Sequence, residues 1–210
     1  MSDIVKLDEN VERRFWHGIG HVQRFFMGDA DVQKALVKLA RTLDAHAIPY
    51  AIVGGMALNE FGYRRVTVDV DVLLTAEGLA AFKAACLGRG YTEKFPGSRG
   101  VRDVEHGVTI DVVLTGSYRG DGQPKPVAFP DPATAAERGA RVALLPLPAL
   151  IELKLASGIS APHRLKDLAD VLEVIRALRL PDDFSARLNP YVREKYLELW
   201  RAAQACEPDV

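Results

Sequence analysis

Residues 51–74 read AIVGGMALNEFGYRRVTVDVDVLL, and this stretch decides the fold. Ala51–Val53 is a short apolar run that ends in Gly54-Gly55, the pattern of a buried strand leading into a tight turn. MALNEFGY after it is a short helix closed by Gly62. Val66–Thr75 (VTVDVDVLLT) is the most β-prone run in the chain, because its β-branched residues suit a pleated surface. On a strand, residues i and i+2 share a face, so Asp69 and Asp71 stand side by side while Val68, Val70 and Val72 point into a core. Two neighbouring carboxylates repel unless a cation or a proton sits between them. Oxygen donors of this kind suit Mg²⁺ or Mn²⁺.

A third acid repeats the pattern. Thr109-Ile110-Asp111-Val112-Val113 sets one carboxylate in an otherwise apolar strand, and pairing beside the first strand would bring Asp111 to Asp69 and Asp71. Three acids and a triphosphate can hold two metals ~3.5–4 Å apart, the spacing that clamps attacking and leaving oxygens in phosphoryl-type displacement. Each acid alone is equally a solvated strand residue; the combination with the Gly-Gly turn is what carries chemistry.

Outward from this centre, Val32, Leu36, Leu39, Ala40 and Leu43 recur at helical spacing over Asp31–His46, with Asp29 or Asp31 as the cap. AEGLAAFKAACLGRGY is helical and stops at Gly88 and Gly90, and His106-Gly107 turns a hairpin between VRDVE and VTIDVVLT. Gly116–Pro132 is a Gly/Pro/Asp-rich loop or lid. Beyond Pro148 the chain is helical, with Leu165, Leu168, Leu172, Ile175 and Leu178 as an apolar stripe. The expected fold is α+β: a small mixed or antiparallel sheet flanked by helices, with a helical C-terminal part. The organisation is an extension over 1–28 with Phe15, Trp16, Phe25 and Phe26 as a partner surface, a core over 29–147, and a helical region over 148–210 that completes the cleft.

With 27 basic and 28 acidic residues, the net charge of −1 excludes a broadly basic nucleic-acid coat, though not a local patch. Of 210 residues, 48% are hydrophobic and 26% charged, which excludes a disordered chain. Two cysteines, Cys86 and Cys206, without a CxxC pair exclude a disulfide framework or zinc knuckle. The polar MSDIVKLDENVERRFW is unlike a signal peptide, and apolar runs such as VALLPLPALIEL are broken by proline; both point to a soluble cytoplasmic protein. No GxxxxGK[ST] phosphate loop occurs. His17 and His21 lack a third ligand, and Ser98 and Ser117 lack the neighbours of a nucleophile.

The order GG, thirteen residues, D-h-D, then h-D-h resembles the nucleotidyltransferase superfamily with the polymerase β-like fold. GGMALNEFGYRRVTVDVDVLL is similar to AbiEii-type and related minimal nucleotidyltransferases, toxins of toxin–antitoxin pairs included; the resemblance spans about residues 31–180. It implies Asp69, Asp71 and Asp111 as metal ligands and catalytic acids. It also implies Gly54 and Gly55 beneath a triphosphate. Arg64 and Arg65, just before the acid strand, are nucleotide-binding candidates because guanidinium forks match phosphate oxygens, and Asn59 and Thr67 are further candidates.

LPLPALIELKLASGISAPHRLKDLADVLEVI resembles the lysine and R-x-K-D-x-x-D segment of the AbiEii-like group. That match implies Lys154 and Asp167 as catalytic and Lys154 and Arg164 as nucleotide-binding, with Asp170 a neighbour. Pro162 in SGISAPH departs from the pattern and is expected to lengthen the inter-helix loop.

The implied activity is metal-dependent transfer of NMP from an NTP, ATP among them, to an acceptor hydroxyl with release of pyrophosphate. The implied cofactor is Mg²⁺ or Mn²⁺. The acceptor is a tRNA, a protein or a small molecule, and a cognate antitoxin is a partner. The alternatives are an antibiotic-type nucleotidyltransferase and a non-catalytic nucleotide- or partner-binding module. A tRNA acceptor predicts a positive groove beside the acids, with Arg99, Arg102, Arg119, Arg138 and Arg141 as its source.

Overall fold

A computed structural model describes residues 22, 24–27 and 30–205. The helices are α1 (Asp31–Ala45), α2 (Gly54–Glu60), α3 (Ala76–Cys86), α4 (Pro132–Ala135), α5 (Leu147–Ser160), α6 (Leu165–Leu178) and α7 (Pro190–Ala205). The strands are β1 (Ala51–Val53), β2 (Asp69–Leu74), β3 (Tyr91–Glu93), β4 (Val101–Asp103), β5 (Thr109–Leu114), β6 (Glu137–Arg138) and β7 (Ala143–Leu144). They form one seven-stranded mixed sheet in the order β3-β4-β5-β2-β1-β7-β6, which bears out the α+β expectation. β3, β6 and β7 are too short to leave a periodic signal in the sequence.

The centre of the sheet places the acids. β1 runs antiparallel to β2, with Val53 opposite Asp71. β2 runs parallel to β5 in register, so Asp69 faces Thr109 and Asp71 faces Asp111. The alternate residues Val70, Val72 and Ile110 are fully buried, so period-two patterning fixes this register. Val68 is a correction: it precedes the strand and is 65% exposed.

α1 buries Val32, Leu36, Leu39, Ala40 and Leu43 as its spacing requires. Its cap differs from expectation. Ala30 is the N-cap, and the Gln33 side chain accepts the Ala30 N–H at 3.1 Å, so Asp31 is the first helical residue. The 104–108 turn closes the β4–β5 hairpin as expected.

The C-terminal helices carry the largest correction. α6 buries Asp167, Asp170, Val171, Val174 and Ile175, whereas Leu165, the first residue of the expected stripe, is 68% exposed. Leu168, Leu172, Ile175 and Leu178 of the stripe do pack on the core, and beside them two carboxylates face α5. The reason is charge: Lys154 on α5 is itself buried, and facing acids compensate it in a medium where an unpaired charge is costly. A side chain at Gly158 would lie 2.3 Å from Leu168, so this glycine lets α5 and α6 approach. Between them Pro162–Arg164 forms a single 3₁₀ turn, shorter than the lengthened loop expected from Pro162.

Phe25 is buried and Phe26 exposed, with rings edge-to-face at 5.7 Å; Phe15, Trp16, His17, His21 and Cys206 lie outside the described residues. Among the described residues, no helix is long and apolar enough to cross a membrane.

Candidate active site

Gly54 decides how the acids are presented. Its backbone is left-handed (φ +67°), and a Cβ there would lie 1.9 Å from Asp71 Oδ2. The chain can therefore turn from β1 into α2 directly over the carboxylate only with glycine. Gly54→Ala is expected to cost about 1–3 kcal/mol of stability through the αL backbone alone. It should also displace Asp71 and remove any activity that depends on it. Thermal melting with an activity assay checks this; a variant as stable and active as wild type would contradict the geometry.

The cleft beside this turn holds about 520 Å³. Gly54, Gly55, Arg65, Thr67, Asp69 and Asp71 form one wall. Arg119, Lys154, His163, Arg164, Lys166, Asp167 and Asp170 form the other. The structure thus gathers most of the sequence-derived candidates in one place. Three of them lie outside this lining: Asp111, on the neighbouring strand β5 opposite Asp71, and Arg64 and Asn59. Arg64 is exposed on a different hollow, beside Phe25 and Met56. Asn59 is consumed by the turn: its Nδ2 donates to the Gly55 and Arg65 carbonyls at 2.8 and 2.7 Å, and its Oδ1 accepts the Arg65 N–H at 2.9 Å. That clamp fixes the approach of Arg65 to the cleft.

Each acid has a distinct setting. Thr67 Oγ1 donates to Asp69 Oδ1 at 2.6 Å. Asp111, at the open side of the sheet, accepts from Lys94 Nζ at 2.8 Å. Asp71 lies between them. Burial raises its pKa; the Arg119 and Lys154 charges oppose this and the neighbouring Asp69 and Asp111 add to it, for a value of about 6.

The folded state holds the Asp71 proton more tightly than the unfolded chain, whose aspartate titrates near 3.8. The contribution is complete below that value and is lost as pH rises through about 6. In metal-free protein, lowering pH from 7 to 5 should therefore raise wild-type stability relative to Asp71→Asn. Melting curves against pH for the two proteins test this, and parallel curves would refute it.

Asp167 is the hub of the opposite wall. Its carboxylate accepts from Lys154 Nζ at 3.0 Å, Ser157 Oγ at 2.7 Å, Arg164 Nε at 3.0 Å and Arg119 at 3.4 Å. Burial acts to raise its pKa, but Lys154, Arg119 and the Ser157 hydrogen bond outweigh burial and hold it well below the ordinary carboxylate range. Lys154 Nζ also donates to Asp170 Oδ2 at 2.7 Å, and Arg65 reaches the same oxygen at 3.5 Å.

Ser157, His163 and Lys166 are site residues that the sequence reading does not single out, and Arg119, expected in a positive groove beside the acids, also lines the cleft itself. Arg119 comes from the irregular 116–131 loop, where no periodicity marks which side chain turns inward. Of the arginines expected to form a positive groove beside the acids, Arg138 instead pairs with Asp44, Arg141 approaches Glu60, and Arg102 lies on β4. Arg99 and Arg119 do adjoin the acids' side of the sheet.

A second group of metal-capable side chains is Asp103, Glu105 and His106, whose ligand atoms lie within 4.8 Å of one another. Lys38 Nζ sits 2.5 Å from Asp103 and 2.9 Å from Glu105, and His106 Nδ1 is 2.5 Å from Asp103. The ammonium already supplies the positive charge that this group needs, so it ties α1 to the β4–β5 hairpin.

No protein-family model matches the chain, and no curated protein does. Among solved structures it is similar to ANT(2″)-Ia in complex with adenylyl-2″-tobramycin, at 14% identity and TM-score 0.47, over 81% of this chain and 99% of that one. The solution structure of the antibiotic-resistance factor ANT(2″)-Ia matches at 16% identity and TM-score 0.46, over 82% and 94%. JHP933 from Helicobacter pylori matches at 16% identity and TM-score 0.38, over 82% and 89%.

Proposed function

We propose that this cleft transfers a nucleoside monophosphate from an NTP to an acceptor hydroxyl, releasing pyrophosphate. The observation that carries the reading is the in-register pairing of Asp71 with Asp111, with Gly54 packed over Asp71 and a wall of cations across the cleft. The donor set fits a hard divalent cation: Asp69, Asp71 and Asp111 are oxygen donors on one face, and Asp71 is short of positive charge. Mg²⁺ or Mn²⁺ held by these three would neutralise triphosphate charge and acidify the acceptor hydroxyl.

The remaining work belongs to the chain. Gly54 and Gly55 let the triphosphate approach the backbone closely. Arg65 and Lys154 bind its oxygens, and Arg119 and Arg164 carry the developing charge of the leaving pyrophosphate. The acceptor oxygen forms a bond to the α-phosphorus as the bond from that phosphorus to the pyrophosphate oxygen breaks. The hydroxyl proton passes to Asp111, the acid on the open side. Asp167 is a positioning residue, since its oxygens are spent on Lys154, Arg119, Arg164 and Ser157. In this scheme the α+β core over 29–147 brings the acids, and the region over 148–210 brings Lys154 and its partners. The AbiEii-type version of this reading, in which a toxin modifies a tRNA or protein hydroxyl and a cognate antitoxin restrains it, rests on the sequence resemblance around Lys154 and Asp167.

The test is incubation with each α-labelled NTP, Mg²⁺, and either total RNA or cell lysate. Label is expected to enter an acceptor in stoichiometric step with pyrophosphate release. Pyrophosphate-free hydrolysis, or tight NTP binding with no label transferred to either pool, would contradict transfer.

A further inference from the structure

Resting on the transfer reading, we infer that the acceptor is an anion, a phosphate ester seated on Arg99, Arg119 and Arg164 in a groove over β5. The groove holds about 280 Å³ and shares Arg119 and Arg164 with the cleft. Its position fits the acceptor rather than the nucleotide. In the sheet, β2 with Asp69 and Asp71 lies between β1 and β5, so the Gly54 turn and the groove lie on opposite sides of the acids. The groove begins directly beyond Asp111, over Val112–Leu114.

Its chemistry selects charge. Three arginines line it and no acidic residue does. Arg99 is exposed and has no ion pair or hydrogen bond among the described residues. Arg119, on the wall common to both hollows, has a buried Nε without a hydrogen-bond partner, a polar group left unsatisfied within the protein. Arg119 and Arg164 both contact Asp167, and Lys154 is shared between Asp167 and Asp170, so Arg99 is the cation of this groove that carries no ion pair among the described residues. Guanidinium forks of this kind match phosphate oxygens. Val112, Leu114 and Phe129 provide an apolar floor on which a base or sugar ring attached to that phosphate can lie. A polycationic acceptor would meet only like charge here.

The experiment is calorimetric titration of inorganic phosphate into protein already holding Mg²⁺ and a non-hydrolysable NTP analogue, which fills the nucleotide side. Phosphate is expected to bind this complex. Arg99→Glu should weaken phosphate roughly tenfold or more, with the melting temperature and analogue affinity unchanged, because Arg99 has no structural partner. Arg99→Lys should retain most of the binding.

A six-nucleotide RNA with a free 3′ hydroxyl and glucose 6-phosphate serve as diester and monoester probes; the tighter of them identifies the source of the phosphate. Phosphate affinity unchanged in Arg99→Glu, or tobramycin bound more tightly than either anionic probe, overturns the inference while transfer still stands. Failure of the analogue to bind, seen before any phosphate is added, removes the transfer reading and this inference with it.

Discussion

Asp71→Asn is expected to lower nucleotidyl transfer by at least about three orders of magnitude, since several kcal/mol of charge stabilisation in the transition state is lost. The protein should remain folded. Asparagine nearly matches aspartate in shape, and the substitution removes a buried carboxylate already in conflict with Asp69 and Asp111. Asp71 pairs across the sheet with Asp111 and lies under Gly54, so a shift of the acceptor or nucleotide cannot replace it. Steady-state transfer with a labelled NTP, beside a melting curve, separates chemistry from folding. A folded Asp71→Asn protein transferring within tenfold of wild type would contradict the assignment.

Lys154→Met should instead damage both stability and activity. Lys154 is 5% exposed and is the shared counter-ion of Asp167 and Asp170, each 4% exposed. Removing it leaves two acids buried against an apolar helix, a loss of about 3–5 kcal/mol for breaking a buried pair. For a chain of this size that is a fall in Tm of roughly 6–20 °C. Adding Asp170→Asn should recover part of the loss, because the pair is coupled and the remaining acid keeps Arg119, Arg164 and Ser157. Transfer should not recover with it. A double variant no more stable than Lys154→Met would mean that packing, and not charge, sets the cost.

The sequence was most legible where one period governs burial. Val70, Val72 and Ile110 alternate with Asp69, Asp71 and Asp111, so strand character and the shared face of the acids follow from two-residue spacing. α1 was legible for the same reason at helical spacing. α6 misled because its apolar stripe competes with Asp167 and Asp170 for the inside. The deciding partner, Lys154, lies 13 and 16 residues away on another helix.

Arg64 was a nucleotide-binding candidate as a guanidinium just before the acid strand, and Asn59 a further candidate in the same segment. Hydrogen bonds within the turn claim Asn59, and Arg64 points to another hollow. Arg119 was legible only as one of five arginines near the acids, because an irregular loop has no period to mark which side chain turns inward. Short β3, β6 and β7 are fixed by pairing with distant partners rather than by their own composition.

Binding of Mn²⁺ followed by electron paramagnetic resonance, in the presence of a non-hydrolysable NTP analogue, tests the central claim most directly. Among the described residues two side-chain groups compete: Asp69, Asp71 and Asp111 around the glycine turn, and Asp103, Glu105 and His106 around Lys38. Wild type and Asp103→Asn are expected to hold Mn²⁺ with the analogue, whereas Asp69→Asn and Asp71→Asn lose it. Mn²⁺ retained in Asp69→Asn and Asp71→Asn but lost in Asp103→Asn would place the metal elsewhere and contradict the account.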